Sequence, residues 1–224
     1  MTDTFHGIEL RPGSGTPKQL YVLLHGVGAS ASNLLPLARR LQNDYPDAAF
    51  MIPDGPHEFD GGTTGRQWYS IRGMTEENRS ARVAGAIPFL YSLVRQAQDR
   101  LKVFPTDTAL VGFSQGASLA LEYSAAHDGS VGRVLAFSGR YATLPDKAPE
   151  LTTIHLFHGE NDHVILVEHA HAAYERLAML HGDVTIDIAS SVGHEMNAVL
   201  IERAITRLQT CVPLRIWERA LGTK

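Results

Sequence analysis

The chain has 224 residues, 44% hydrophobic and 20% charged, with a formal net charge of −4. That length suits one α/β domain whose sheet is covered on both faces. The acidic balance and a sequence pI near 6.2 leave no basic footprint, which excludes nucleic acid as a natural partner.

In chain order, Met1-Thr2-Asp3-Thr4-Phe5-His6 lacks the basic and apolar regions of a signal peptide. Phe5–Leu10 reads as an edge strand, closed by the Pro12-Gly13-Ser14-Gly15 turn. Tyr21-Val22-Leu23-Leu24 reads as a buried strand. The stretch Gln19–Ala38 has no Lys, Arg, Asp or Glu, yet it contains His25, Ser30, Ser32, Asn33 and Pro36, so it does not read as a membrane span. A helix is predicted over Asn33–Asn43 and a strand over Phe50–Pro53. A long connection with few regular signals follows, from Asp54 to Thr75. The next helix, Glu76–Leu101, contains Pro88, which predicts a kink or a split.

Further on, Thr108–Val111 reads as a strand, Ser114–Ala126 as a helix, and Val131–Phe137 and Thr153–Gly159 as strands. Val167–His181 reads as a helix, Val184–Ala189 as a strand and Glu195–Thr210 as a helix, with a short amphipathic helix at Leu214–Leu221. Alternating helices and strands predict a mostly parallel sheet with helices on both faces. No segment between Val131–Phe137 and Asp162 is large enough for an inserted cap domain. Cys211 stands alone, so no intramolecular disulfide forms, in keeping with a cytoplasmic location. The chain is read as soluble, with no integral membrane association, and its oligomeric state is left open between monomer and homodimer.

The most informative stretch is Gly112-Phe113-Ser114-Gln115-Gly116, a G-x-S-x-G pattern with a strand before it and a helix after it. A serine on such a turn has its hydroxyl pushed out of the sheet, and the glycines let the chain pass closely. Ser114 would also stand at a helix N-terminus, where backbone N–H groups favour developing negative charge.

A serine hydroxyl needs a base to act as a nucleophile, and the base needs an orienting acid. Asp162 and His194 follow the predicted strands Thr153–Gly159 and Val184–Ala189, so both fall on the same sheet edge as Ser114. Glu160 and Asp187 are the other acids considered. Glu160 lies only one residue past the turn glycine, and Asp187 lies inside a strand, so Asp162 is favoured. His194 is the histidine that follows the last strand and a glycine, which marks it as the base. Two N–H donors must hold the oxyanion. They are assigned to Gln115 and to Val27 of the loop His25-Gly26-Val27-Gly28, with His25 read as a brace for that loop.

The Asp54–Thr75 connection is read as a pocket wall, with Trp68 and Tyr69 as its bulky surface. Arg140 follows a strand end and either meets a charged substrate group or pairs with a carboxylate. Val164 and Met196, each two residues past the acid and the base, complete the candidate pocket. His163, His169 and His171 do not read as a metal site. Residues two apart on a helix point away from each other, and nothing completes a ligand set.

His25-Gly26-Val27-Gly28, Gly112-Phe113-Ser114-Gln115-Gly116, His158-Gly159-x-x-Asp162 and Gly193-His194 together resemble the phospholipase/carboxylesterase family of serine hydrolases, which includes the acyl-protein thioesterases. The resemblance runs from about residue 18 to about residue 210. Gly65–Ser70, Thr75–Arg79 and Ser138–Pro145 sharpen it toward a bacterial esterase of that family. It implies a single-domain α/β-hydrolase over residues 1–224 that cleaves small-molecule carboxylic esters without a cofactor or metal. The family often has Pro where His163 stands and Asp where Ala29 stands, so the rim of the site differs here. Short to medium acyl chains are the expected substrates. The alternatives are thioester or lysophospholipid hydrolysis, or a silent binding protein on the same fold.

Overall fold

The computed structural model describes residues 6–222. Its frame is a seven-stranded sheet, built because the β-branched and apolar runs of the sequence must bury both faces. In chain order its strands and helices are β1 Gly7–Leu10, β2 Gln19–Leu24, α1 Ala31–Asp44, β3 Ala48–Pro53, β4 His57–Glu58, β5 Arg66–Gln67, α2 Glu76–Leu101, β6 Thr108–Phe113, α3 Gln115–Ala126, β7 Arg133–Phe137, β8 Thr153–Gly159, α4 Glu168–Met179, β9 Val184–Ala189, α5 Ala198–Thr210 and α6 Leu214–Leu221. The sheet order is β1-β3-β2-β6-β7-β8-β9. Only β1 is antiparallel, pairing with β3 in the register Gly7 to Pro53. Phe5, expected at the start of that edge strand, lies outside the described residues.

Alternation along each strand divides the core into two layers. Leu20, Val22 and Leu24 of β2 face one layer with Leu110 of β6 and the apolar sides of α2, α3 and α4. Tyr21 and Leu23 face the other, with Val111 of β6 and the apolar sides of α1 and α5. After β2 the chain crosses to β3 on one side, whereas β6 returns on the other side of β2. The strand order therefore reverses between β2 and β6, and the crevice at their carboxyl ends is where such sheets receive ligands.

Several elements differ from expectation. The helix with Pro88 runs unbroken over Glu76–Leu101. α5 starts at Ala198 rather than Glu195, because Asn197 Oδ1 accepts the Leu200 N–H at 3.0 Å and caps it there. The 54–75 connection carries a small antiparallel hairpin, β4 with β5. A side chain at Gly65 would meet Gly28 O at 2.1 Å, so this hairpin lies directly on the loop after β2. Residues 138–152, between β7 and β8, hold no helix or strand, so nothing caps the sheet edge there. Among the described residues no helix is long and apolar enough to cross a membrane.

Buried histidines load the fold with an acid sensitivity. His155, on β8, is fully buried, with Nδ1 2.8 Å from Thr185 Oγ1 and Nε2 3.2 Å from Arg133 Nη1. A guanidinium only donates, so Nε2 accepts and Nδ1 carries the single proton. Burial first, then Arg133 and Arg207, push the His155 pKa down to about 3. Such a group binds protons more readily in the unfolded chain, so its contribution to stability is complete above the ordinary histidine range and is lost as pH falls toward 3. His25 and His158 are lowered in the same direction, also chiefly by burial. Urea unfolding is expected to show stability falling between about pH 7 and about pH 5, and His155→Gln should reduce that loss by about 1.4 kcal/mol per pH unit below the ordinary range. Parallel slopes for the two proteins would contradict the assignment.

Candidate active site

The residue pattern around Ser114 is dictated by crowding. A Cβ at Gly112 would stand 2.5 Å from the Ala117 backbone, and one at Gly116 would stand 2.2 Å from Leu24 O. Glycine at these two positions lets α3 start directly against the ends of β6 and β2. Ser114 itself has φ 53 and ψ −113, a backbone conformation that a non-glycine residue adopts only under constraint. Its N–H is held by Phe137 O at 2.9 Å, and its carbonyl accepts the Ser118 N–H at 2.9 Å. The turn is thus fixed from the neighbouring strand and from its own helix.

Loops after β6, β8 and β9 converge on this point. His194 Nε2 lies 2.9 Å from Ser114 Oγ, and His194 Nδ1 lies 2.7 Å from Asp162 Oδ2. The carboxylate can only accept, so Nδ1 carries the proton and the Nε2 lone pair faces the serine hydroxyl. Asp162 Oδ1 accepts the amides of Val164 and Ile165, both at 2.9 Å. Burial alone would raise the Asp162 pKa. The hydrogen bonds from His194 and from the Ile165 and Val164 amides outweigh it and hold the carboxyl below its ordinary value. Phe113 covers one side of the imidazole, with ring centroids 5.0 Å apart.

The other acids considered sit elsewhere. Asp187 is engaged by Arg207, at 2.8 Å from Nε and 3.2 Å from Nη2. Glu160 is exposed at the turn after β8.

One residue of this group carries no role in the sequence reading. His158 is buried, and its Nε2 lies 2.7 Å from Ile165 O and 3.2 Å from Asp162 Oδ2. Ile165 O is an acceptor, so this nitrogen carries a proton and donates it there, while the ring stands beside the same carboxylate oxygen that His194 uses. Burial lowers its pKa and keeps it neutral. The His158-Gly159-x-x-Asp162 spacing was the available signal, but only the β8 geometry turns it into a contact.

The loop after β2 forms the opposite wall. His25 is fully buried, with Nδ1 2.7 Å from Gly26 O and Nε2 accepting the Gly55 N–H at 2.9 Å. It therefore braces the loop. Val27 lines the cleft beside Ser114 and Gln115. Among the described residues, neither the Val27 nor the Gln115 amide donates to another backbone group. The Gln115 side chain does different work. Its Oε1 accepts the Trp68 N–H at 2.8 Å and its Nε2 donates to Tyr69 O at 2.8 Å.

The cleft at Ser114 encloses about 560 Å³. Tyr69, Arg140 and Val164 line it as expected, and so do Ile71, Met74, Leu166, Glu76, Arg79 and His169. Two pocket assignments need correction. Trp68 is 1% exposed and packs within the core layer under α2 and α3, because its indole N–H is drawn to His25 O at 2.8 Å. The wall at this height is Tyr69. Met196 lies outside the cleft lining and packs with Phe113 against the opposite core layer. Of the clustered histidines, His163 and His169 both line the cleft, His169 with Nε2 3.0 Å from Arg140 Nη1, and His171 is exposed.

Residues 7–212 match the profile described as Phospholipase/Carboxylesterase. The chain belongs to the phospholipase/carboxylesterase family. Esterase YpfH of Escherichia coli is 41% identical over 92% of this chain and 88% of its own length. Acyl-protein thioesterase 1 of Kluyveromyces lactis is 24% identical over 68% of this chain and 73% of its own. Among solved structures, esterase PE8 superposes with a TM-score of 0.85 at 29% identity, covering 93% of this chain and 99% of that one. The carboxylesterase of Bacillus cereus shares the fold, with a TM-score of 0.76 at 17% identity, over 94% of this chain and 96% of that one. The architecture is that of an α/β-hydrolase.

The place of Trp68 gives a stability test. Trp68→Ala should destabilise the protein by about 3–5 kcal/mol, as truncating a buried aromatic does. A variant of unchanged denaturation midpoint that prefers longer esters would restore the pocket-wall reading.

Proposed function

We propose that this protein is a serine esterase that cleaves carboxylic esters of short to medium acyl chain through an acyl-enzyme. The observation that carries the reading is the continuous relay Ser114 Oγ to His194 Nε2 at 2.9 Å and His194 Nδ1 to Asp162 Oδ2 at 2.7 Å. Relatedness to esterase YpfH supports the same class of reaction.

In this reading Ser114 Oγ attacks the ester carbonyl carbon while His194 Nε2 takes its proton. The carbonyl oxygen becomes an oxyanion held by the amides of Val27 and Gln115, each such donor being worth roughly 3–4 kcal/mol in the transition state. Asp162 fixes the imidazole tautomer and stabilises the imidazolium. Collapse of the intermediate expels the alcohol, which takes the proton from His194. Water, activated by His194, then attacks the acyl-enzyme and releases the acid and Ser114. The chemistry needs no cofactor.

Chain length follows from the wall of the cleft. Tyr69, Ile71, Met74 and Leu166 offer apolar surface, but Glu76, Arg79 and Arg140 share the same cleft. A long alkyl chain would have to lie on ionised groups, which costs their hydration. Short and medium chains avoid that cost. The machinery would also take a thioester, but a long protein-bound acyl chain meets the same obstacle.

Kinetics on p-nitrophenyl butyrate test the assignment. Ser114→Ala should lose activity on the order of 10⁴-fold or more, and Asp162→Asn roughly 10³–10⁴-fold in kcat, with folding retained. Asp187→Asn should leave kcat within a few-fold, since that carboxylate pairs with Arg207 away from the relay. A dominant effect at Asp187 would overturn the acid assignment.

A further inference from the structure

The cleft beside Ser114 holds more positive charge than it can satisfy. Two guanidiniums, Arg79 and Arg140, stand there against one carboxylate, Glu76. Arg79 Nη2 reaches Glu76 Oε1 at 2.8 Å and its Nε reaches the same oxygen at 3.2 Å. Arg140 Nη2 donates to Glu76 Oε2. The remaining donors are poorly matched. Arg79 Nη1 faces only the Met74 thioether, at 3.7 Å. Arg140 Nη1 faces His169 Nε2 at 3.0 Å, and Arg140 Nε is buried with no partner.

His169 adds no counter-charge, and its pKa is lowered, first by burial and then by Arg140. The carboxyl of Glu76 is held down to about 2 by Arg79 and Arg140, so it stays ionised as their single partner. One unit of positive charge is left over, in a chain whose net charge is −4. The Arg79 and Arg140 side chains are only 22% and 14% exposed, so water screens that excess poorly.

We propose that the substrate carries a carboxylate separated from the scissile ester by a short apolar spacer, and that Arg140 and Arg79 read it. The proposal rests on the esterase reading above and adds the substrate class. A guanidinium fork offers a carboxylate two parallel charge-assisted hydrogen bonds, which matches the donors left over here. Arg79 and Arg140 line one cleft with Ser114, and Tyr69 and Met74 give that cleft apolar wall. A short apolar spacer resting on that wall joins the two ends of the substrate.

The carboxylate can stand on the acyl or on the alcohol side, and the experiment separates these. On the wild-type protein, kcat/KM is measured by proton release in a pH-stat. The acyl arm uses ethyl hydrogen adipate and ethyl hydrogen suberate. The alcohol arm uses the butyrate ester of γ-hydroxybutyrate. Each is compared with its carboxamide, which has the same shape and no charge. On at least one arm the carboxylate should be favoured by about 10-fold or more, and high salt should reduce the advantage. Arg140→Gln and Arg79→Gln should each shrink the carboxylate-to-amide ratio, and Glu76→Gln should raise it by freeing both guanidiniums.

The ratio is read within one protein, so general damage to a variant cancels. If Arg140→Gln fails to fold, Arg79→Gln, Glu76→Gln and the wild-type salt dependence still decide. A ratio near one on both arms, with the amides turned over, overturns the proposal and leaves the esterase reading standing. A ratio that survives both arginine variants overturns it as well. Failure to cleave any ester, p-nitrophenyl butyrate included, overturns the esterase reading and this proposal with it.

Discussion

The site depends on one close approach, the first turn of α3 against the end of β2. A side chain at Gly116 would meet Leu24 O at 2.2 Å and His25 O at 2.8 Å, so only glycine allows the two elements to touch. That contact sets the Gln115 amide beside the loop that carries Val27, and it drives Ser114 into its constrained conformation at the top of β6. The topology supplies the crevice. The strand order reverses between β2 and β6; β2 is one of the touching elements, and the other, α3, follows directly on β6. Loops after β8 and β9 then need only deliver one carboxylate and one imidazole to the same edge.

Charge around that contact is arranged by burial and by backbone donors. Asp162 is 2% exposed, yet two amides and His194 hold it ionised. The neutral ring of His158 packs beside the oxygen that His194 uses, with its own N–H given to Ile165 O. His25 does comparable work across the cleft, where its two nitrogens tie Gly26 and Gly55 together. The buried histidines are thus structural ties kept neutral, and the acid sensitivity of the fold follows from the same burial.

The succession of strands along the chain, the mostly parallel sheet and the placing of Ser114, Asp162 and His194 on loops at one edge could be read from the sequence, because each depends on local periodicity followed by a turn; the order of strands in the sheet could not. A serine between Gly112 and Gly116 announces its turn, and a polar residue just past a strand announces its edge. Side chains whose roles depend on distant partners could not be read this way. Trp68 has the size and sequence position of a pocket wall, but the carbonyl of His25, 43 residues earlier, pulls its indole into the core. Met196 sits two residues from His194 and still turns to the opposite layer. Glu76 and Arg79 open α2, far in sequence from the nucleophile, and the spacing of charges along that helix does not indicate that its first turn lines the cleft. The helical pattern of the sequence begins at Glu195, but α5 starts only at Ala198 because Asn197 caps it there.

The central claim is that Ser114 is an activated nucleophile set in a working oxyanion site. Intact-protein mass spectrometry after treatment with an alkyl fluorophosphonate, which loses fluoride to the attacking serine, followed by peptide mapping, tests it most directly. The expected result is a single phosphonyl adduct on Ser114, with labelling much slowed in His194→Ala. A folded protein that takes up no label, or takes it at another serine, would contradict the account.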